Sequence, residues 1–270
     1  MVVGFIWNSR GLNRDDKLTR VHDLLHDHHP DFIGLSETKK EDFTPAQLKI
    51  LDPCDIYEWK WLPANRTAGG ILLGVNSDVF DVLSWGVHSF SVSCLIRKKR
   101  DTVVWRFITV HGSSYEEHKL DFINELHNLI ASWSGPTIVG GDFNLIRDSS
   151  EKNNGNINKK WANLFNDWIN KFGLLELKNS GRKFTWANNQ DNLVMAMLDR
   201  VFITTCWDSP FPASLVKTLP RLGSDHTPWW LTLGPCLSLK PNNIGLRNGG
   251  FNTVIFIKLW RKFGLLLVGW

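Results

Sequence analysis

Several apolar runs in this chain end on a residue able to bind a cation, move a proton or hold a phosphate. Asn8 follows the first run, Glu37 the second, Asp142 and Asn144 a middle one, and Asp225 with His226 precedes the last. A hard divalent cation such as magnesium takes oxygen ligands and few of them from protein, so one or two carboxylates beside an amide are enough. Hydrolysing a phosphodiester also needs an activated water, an in-line approach and positive groups facing the developing charge. Asp, Asn, Glu and His can supply all three. Taken singly, each residue has an ordinary reading. Asn8 can close a turn, Glu37 beside Thr38, Lys39 and Lys40 can start a solvated helix, Gly140-Gly141-Asp142 can be a glycine turn, and Ser224-Asp225 can be a cap pair beside a structural His226. Their occurrence together, in this order, moves the odds toward chemistry.

The elements that would position them alternate between short β-rich runs and amphipathic helices up to about Leu233, the pattern of a layered α/β domain. Val2 to Trp7 is expected to be a buried strand. Lys17 to Asp27 carries Leu18, Val21, Leu24 and Leu25 at helical spacing, and Phe32 to Leu35 is a second buried strand. Gly70 to Val75, Val79 to Trp85, Phe90 to Ile96 and Val103 to Val110 read as consecutive strands able to pair antiparallel. Two helices follow: Glu117 to Ser132, with Leu120, Ile123, Leu126, Leu129 and Ile130 on its apolar face, and a second with Trp161, Leu164, Phe165, Trp168, Ile169 and Phe172. Between them, Thr137-Ile138-Val139 runs into Gly140-Gly141-Asp142-Phe143-Asn144, a buried strand stopping in a tight polar turn, where α/β enzymes place chemistry.

The 270 residues are 43% hydrophobic and 12% aromatic, which is ample for a core and excludes general disorder. The 31 Lys and Arg against 27 Asp and Glu leave +4, which tolerates a polyanion without establishing one. Cys54, Cys94, Cys206 and Cys236 are scattered singly, so neither a disulfide framework nor a structural zinc is expected, and a reducing compartment fits. The N-terminus has no basic region ahead of an apolar run, so secretion is not expected; nor is a membrane span, since no stretch reaches roughly 20 apolar residues.

Together, Trp7-Asn8-Ser9-Arg10-Gly11-Leu12, Ser36-Glu37-Thr38-Lys39, Gly140 to Asn144, Phe184-Thr185-Trp186, Leu198-Asp199-Arg200 and Ser224-Asp225-His226 resemble the endonuclease/exonuclease/phosphatase superfamily over residues 1 to about 234. Within it, Gly69-Gly70-Ile71-Leu72-Leu73-Gly74 and Ser180-Gly181-Arg182-Lys183-Phe184-Thr185-Trp186 are similar to the apurinic-type endonuclease domain of plant non-LTR (LINE-type) retrotransposons. The resemblance implies an α/β four-layer sandwich, two mixed β-sheets packed face to face between helices, with the site at one sheet edge. It makes Glu37 the main Mg2+ ligand, helped by Asn8 and Asp225, with Mn2+ as a possible substitute. Asp142 would position or deprotonate the attacking water, and Asn144 would orient it and the phosphate. His226 would donate to a phosphate oxygen, with Asp199 fixing its tautomer. Thr185 and Ser224 would be supporting hydrogen-bonders.

Two places depart from that family's pattern. The strand before the first long helix of this pair ends Val110-His111-Gly112 where the family has Val-Tyr-Gly, so an imidazole takes the place of a phosphate-binding hydroxyl and activity could be reduced. After Leu233-Gly234 the family's Phe-Arg-Phe-like phrase is missing, so 1–234 is the expected catalytic domain and 235–270 an atypical tail, frameshifted or truncated. Of the 14 tryptophans, most are expected in the core; Trp186, beside Thr185, is the one for substrate. Arg182-Lys183 is the expected DNA-backbone contact, whereas Arg97-Lys98-Lys99-Arg100 reads as a solvated hairpin turn.

The expected function is a Mg2+-dependent phosphodiesterase that nicks one strand of duplex DNA and leaves a 3′-hydroxyl for target-primed reverse transcription. Its partners would be double-stranded DNA and the parent element's reverse transcriptase, it would act as a monomer, and it would reside in the nucleus or cytoplasm. The alternatives are a catalytically impaired DNA-binding remnant, or a phosphatase or abasic-site repair nuclease of the same fold.

Overall fold

The computed structural model describes residues 1–234 apart from 67, 100, 180, 189 and 222. The expected atypical tail and Cys236 lie outside the described residues. Two six-stranded mixed sheets dominate. The first has the order β13 (Leu215–Thr218), β14 (Trp229–Leu233), β1 (Val2–Asn8), β2 (Phe32–Ser36), β4 (Ile71–Asn76), β3 (Tyr57–Leu62), and only β1 and β2 run parallel. The second has the order β5 (Phe80–Val87), β6 (Ser91–Lys98), β7 (Val104–His111), β8 (Thr137–Asp142), β12 (Asp199–Ile203), β9 (Leu175–Glu176), with β7 and β8 its parallel pair. A small hairpin, β10 (Trp186–Ala187) with β11 (Met195–Ala196), stands beside it.

The layers follow from which face each apolar run buries. β1 is apolar without alternation because both its faces are covered: Ile6 turns toward the second sheet, Phe5 and Trp7 toward helix α1 (Asp15–His28). Between the sheets, the Phe32 ring meets Phe107 and Trp105 edge-on at 4.6 and 5.5 Å. Outside the first sheet lie α1 and α2 (Pro45–Leu51), the latter opened by a capping box of Thr44 and Gln47. Outside the second lie α3 (Lys119–Ala131) and α4 (Lys159–Lys171), which cover Ile108, Val110, Val139 and Phe202. The result is the four-layer sandwich that the sequence resemblance implied.

Three local expectations need correction. β4 does not continue into β5; it pairs with β2 and β3 in the first sheet, while β5, β6 and β7 form the antiparallel run of the second. On α3 the buried face runs Phe122, Ile123, Leu126, Leu129, Ile130, and Leu120 is 49% exposed. Leu120 lies about 200° around the helix from Phe122, so it cannot share that face. The site is also not at a sheet edge, because it spans the ends of central strands of both sheets. No described helix is long and apolar enough to cross a membrane, and Cys54, Cys94 and Cys206 are free.

The sheets approach closely at two glycines of their central strands. A Cβ on Gly34 would lie 2.2 Å from Thr109 Oγ1, and one on Gly140 2.3 Å from Ile6 Cδ1. These two glycines let the central strands approach until side chains at their ends can touch.

Candidate active site

β1, β2, β7 and β8 end together. Their registers set Asn8 beside Ser36 and His111 beside Asp142, while β12 enters antiparallel with Asp199 opposite Asp142. The turns past the strand ends are strained. Arg10, Glu37 and Asn144 hold φ of 54°, 51° and 49°, a region side-chain-bearing residues seldom adopt. Surrounding backbone bonds enforce it: the Glu37 turn is tied by Gly11 N to Glu37 O at 2.7 Å, Thr38 N to Gly70 O at 3.1 Å and Lys39 N to Gly69 O at 2.9 Å. Gly141, at φ 144°, bends β8 where a Cβ would meet Val110 O at 2.2 Å.

Asp142 is the hub, and it is buried. The Asn8 amide, from the other sheet, donates to its Oδ2 at 2.9 Å, and the Asn144 amide donates to the same oxygen at 3.1 Å. Asn144 N donates to Oδ1 at 2.9 Å. His226 presents Nε2 3.7 Å from Oδ2 and 3.3 Å from Asn8 Nδ2, and its other nitrogen, Nδ1, donates to Asp199 at 2.9 Å. Thr185 Oγ1 accepts from the backbone N–H of Leu198 and Asp199, both at 3.0 Å, which fixes the start of β12. Ser224 donates to Asn8 O at 2.8 Å and accepts from His226 N at 3.1 Å, so it ties the His226 loop to β1.

Burial alone would lower the His226 pKa, but the facing carboxylates of Asp199 and Asp142 outweigh it and push it up to about 9. In the unfolded chain a histidine titrates near ~6.5. The raised value therefore contributes stability that is complete below about pH 6.5 and is lost as pH rises through about 9. In chelator, the urea midpoint is expected to fall across that window, and Asp199→Asn should flatten the fall. A parental midpoint constant from pH 6 to 9.5 would refute it.

Glu37, Asp225 and Arg10 form a second group. Burial would raise the Glu37 pKa, but the Lys39 ammonium at 3.0 Å, with His111 and Asn8 nearby, holds it below the usual carboxylate range. The Arg10 guanidinium pairs with Asp225 Oδ2 and lies 4.0 Å from Glu37 Oε1, and Trp186 Nε1 donates to the same Asp225 oxygen at 2.7 Å. Asp225 Oδ1 is buried with no hydrogen-bond partner among the described residues. Such an oxygen is costly to bury unpaired, so it has open coordination capacity, and Arg10 links its carboxylate to that of Glu37. The set suits a hard divalent cation. Asp142, Asp199 and His226 also bring ligand atoms within 4.8 Å of one another. The His226–Asp199 hydrogen bond and the high His226 pKa suit proton handling better than ligation.

Arg10, Glu37, Asp142, Asn144 and His226 floor a cleft of about 650 Å³ lined also by His111, Tyr115, His118 and Trp186, and Asn8, Asp199, Asp225, Thr185 and Ser224 are hydrogen-bonded behind that lining. His111 reaches it from the end of β7. Of the sequence-derived candidates, Asn8, Glu37, Asp142, Asn144, Asp199, Asp225, His226, Thr185, Ser224, His111 and Trp186 gather here. Arg182 and Lys183 do not line the cleft and lie on the exposed loop leading to Thr185. Three cations outside the sequence-derived set also belong to the site. Arg10 and Lys39 sit inside motif phrases, which is a usable signal. Lys119, whose Nζ donates to Asn144 O at 2.8 Å and Ser113 O at 3.0 Å, has none.

An end-of-strand site between two packed sheets, with a carboxylate hub, a carboxylate-backed histidine and an oxygen donor set, defines a phosphoester-hydrolase class. The chain belongs to the endonuclease/exonuclease/phosphatase family, whose model matches residues 5–226. Members of that family are hydrolases of phosphoester bonds and use divalent metal ions. Among solved structures, D. rerio TDP2 complexed with a single-strand DNA product is 15% identical, with TM-score 0.62 over 86% of this chain and 98% of that one. The human Nocturnin catalytic domain with bound sulfate is 13% identical, with TM-score 0.60 over 86% and 93%. A Bacteroides thetaiotaomicron mannosyl-6-phosphatase is 15% identical, with TM-score 0.58 over 86% and 99%. These likenesses are of fold. No curated protein sequence matches the chain significantly.

Proposed function

We propose that residues 1–234 are the catalytic domain of a magnesium-dependent DNA endonuclease, with manganese able to substitute, which acts as a monomer and nicks one strand of duplex DNA. The observation that carries this reading is the convergence of Asn8, Asn144 and His226 on Asp142 beside Glu37, across the two sheets. Glu37, Asn8 and Asp225 would hold the cation, which when bound supplies Lewis acidity to a phosphate oxygen. Asp142 takes a proton from the attacking water, which Asn144 orients. The water oxygen bonds to phosphorus, the bond to the 3′ oxygen breaks, and that oxygen leaves as an alkoxide that takes a proton from solvent to become the 3′-hydroxyl, while Asp142 returns its proton to solvent. His226 donates Nε2–H to a phosphate oxygen while Asp199 holds Nδ1, and the Trp186 ring faces the DNA at the cleft wall. The similarity to plant LINE-type phrases supports a 3′-hydroxyl handed to a reverse transcriptase, and so work in the nucleus.

The test is conversion of supercoiled plasmid to the nicked circle in magnesium and in chelator, for the chain beside His111→Tyr. Nicking only with magnesium is expected. His111→Tyr should be faster by about 5- to 10-fold, since a hydroxyl regains roughly one hydrogen bond to phosphate. A silent parent with an active His111→Tyr would mean a nuclease disabled at that residue. Silence of both, with the fold intact, would refute nicking and favour the DNA-binding remnant. Phosphate release from a sugar monoester without plasmid nicking would favour the same-fold phosphatase.

A further inference from the structure

Beside the site, the loop before Thr185 and the stretch from β13 to Arg221 carry cations that no acid answers. Residues 178–179 and 181–184 run next to 215–221: Asn179 bridges Val216, and a Cβ on Gly181 would lie 2.9 Å from Thr218 Oγ1. Between them they present Lys178, Arg182, Lys183, Lys217 and Arg221, with no Asp or Glu in either stretch. Elsewhere Arg10, Arg97, Arg147 and Arg200 pair with carboxylates, but none of these five has an ion pair among the described residues. The neighbouring acids are already engaged: Glu176 by Arg147 and Arg200, Asp199 by His226, Asp225 by Arg10 and Trp186.

The patch is fixed to the catalytic floor. Arg221 is half-buried, and its Nε donates to Thr227 Oγ1 at 2.9 Å. Thr227 is buried, follows His226, and donates its N–H to Thr185 O at 2.9 Å. Anchoring by Nε leaves the terminal guanidinium nitrogens as the donors available to a ligand. On the loop before Thr185, the Arg182 carbonyl is held by Asn179 Nδ2 at 3.1 Å, and the Lys183 ammonium lies 5.3 Å from the Phe184 ring centroid. Arg182 is close enough that its charge, after burial, lowers the Arg221 pKa. Like charges held together cost free energy unless something anionic meets them.

We propose that Lys178, Lys217 and Arg221 join Arg182 and Lys183 in one track for the backbone of duplex DNA, holding phosphates that flank the bond cut in the cleft. The proposal rests on the nicking reading and adds the surface by which the duplex is gripped. Phosphate contacts fix register without reading sequence, which suits segments rich in Lys and Arg and poor in side chains shaped for base edges.

The experiment is anisotropy titration of a labelled 20-base-pair duplex in chelator, from 50 to 200 mM salt, with thermal melting to confirm folding. Removing one cation that neutralises a phosphate should make the slope of log K against log salt shallower by about 0.9. The Lys178→Gln/Lys217→Gln/Arg221→Gln variant should bind at least about 10-fold more weakly, with a slope shallower by about 3. If losing the Arg221 anchor prevents folding, Lys178→Gln/Lys217→Gln, both at exposed positions, should still give a slope shallower by about 2. Lys98→Gln/Lys99→Gln, at the opposite end of the second sheet, should match the parent. Parental affinity and slope in both patch variants would overturn the track while plasmid nicking stands. No salt-sensitive duplex binding by the parent would overturn the track and nicking together. An equal weakening in the Lys98/Lys99 variant would overturn it by showing only a general charge effect.

Discussion

Asp142→Asn is expected to lower nicking by about 10²- to 10⁴-fold while leaving the fold intact, the range typical for losing a general base. With its oxygen in the Oδ2 position, the substituted amide still accepts from the Asn8 and Asn144 side chains, so the bond joining the two sheets survives, and only the Asn144 N–H loses its acceptor. What goes is a negative charge within a buried cluster, where Asp142 and Asp199 repel each other and both attract His226. Losing the repulsion offsets losing part of the attraction, and the melting temperature should hold within a few degrees. A variant that melts like the parent but no longer cuts separates chemistry from folding. Retention of more than a tenth of parental activity would remove Asp142 from the reaction. Glu37→Gln makes a useful contrast, since a defect in cation binding, unlike loss of a base, should be partly rescued by excess magnesium.

The motif phrases make the ends of β1, β2 and β8 legible because each site residue follows an apolar run directly. They cannot show that Asn8 touches Asp142, 134 residues away, because that contact depends on how closely two sheets pack. Gly34 and Gly140 control that distance, and nothing in periodicity marks a glycine as an inter-sheet spacer. The β4–β5 junction misleads for a related reason: consecutive strands with a short turn look like neighbours, and the choice of sheet is made by long-range burial. β3 is hard to read because Tyr57–Leu62 is an edge strand with partly exposed residues and a weak apolar signal. Lys119 is invisible because a lysine at a helix start is ordinary, and only its reach to Asn144 O gives it meaning.

The second large effect lies behind the site, on the opposite face of the strand that carries Asp199. Arg200→Met is expected to cost about 3–5 kcal/mol, the range for removing one partner of a buried ion pair. The Arg200 side chain is fully buried; it donates to Glu176 at 2.7 Å, to both oxygens of Glu151 and to Met197 O at 3.2 Å. Arg147 donates to Glu176 at 2.5 Å and Asn166 Oδ1 at 2.9 Å, and its N–H donates to Glu151 at 2.7 Å. The network thus ties the loop after Asn144 and helix α4 to β12. Methionine fills much of the volume but leaves two carboxylates short of their partner. Arg200→Lys should fall between, because an ammonium cannot serve both carboxylates with a planar fork. Arg200→Met/Glu151→Met should recover part of the loss, since removing both partners of a pair costs less than stranding one. Urea midpoints for the parent and the three variants measure all of this, and a loss under about 1 kcal/mol in Arg200→Met would refute it. The argument also links stability to function. Asp199 precedes Arg200 on β12, so loosening the strand should free His226 before the protein unfolds, and nicking in Arg200→Lys should fall at temperatures where the fold is still intact.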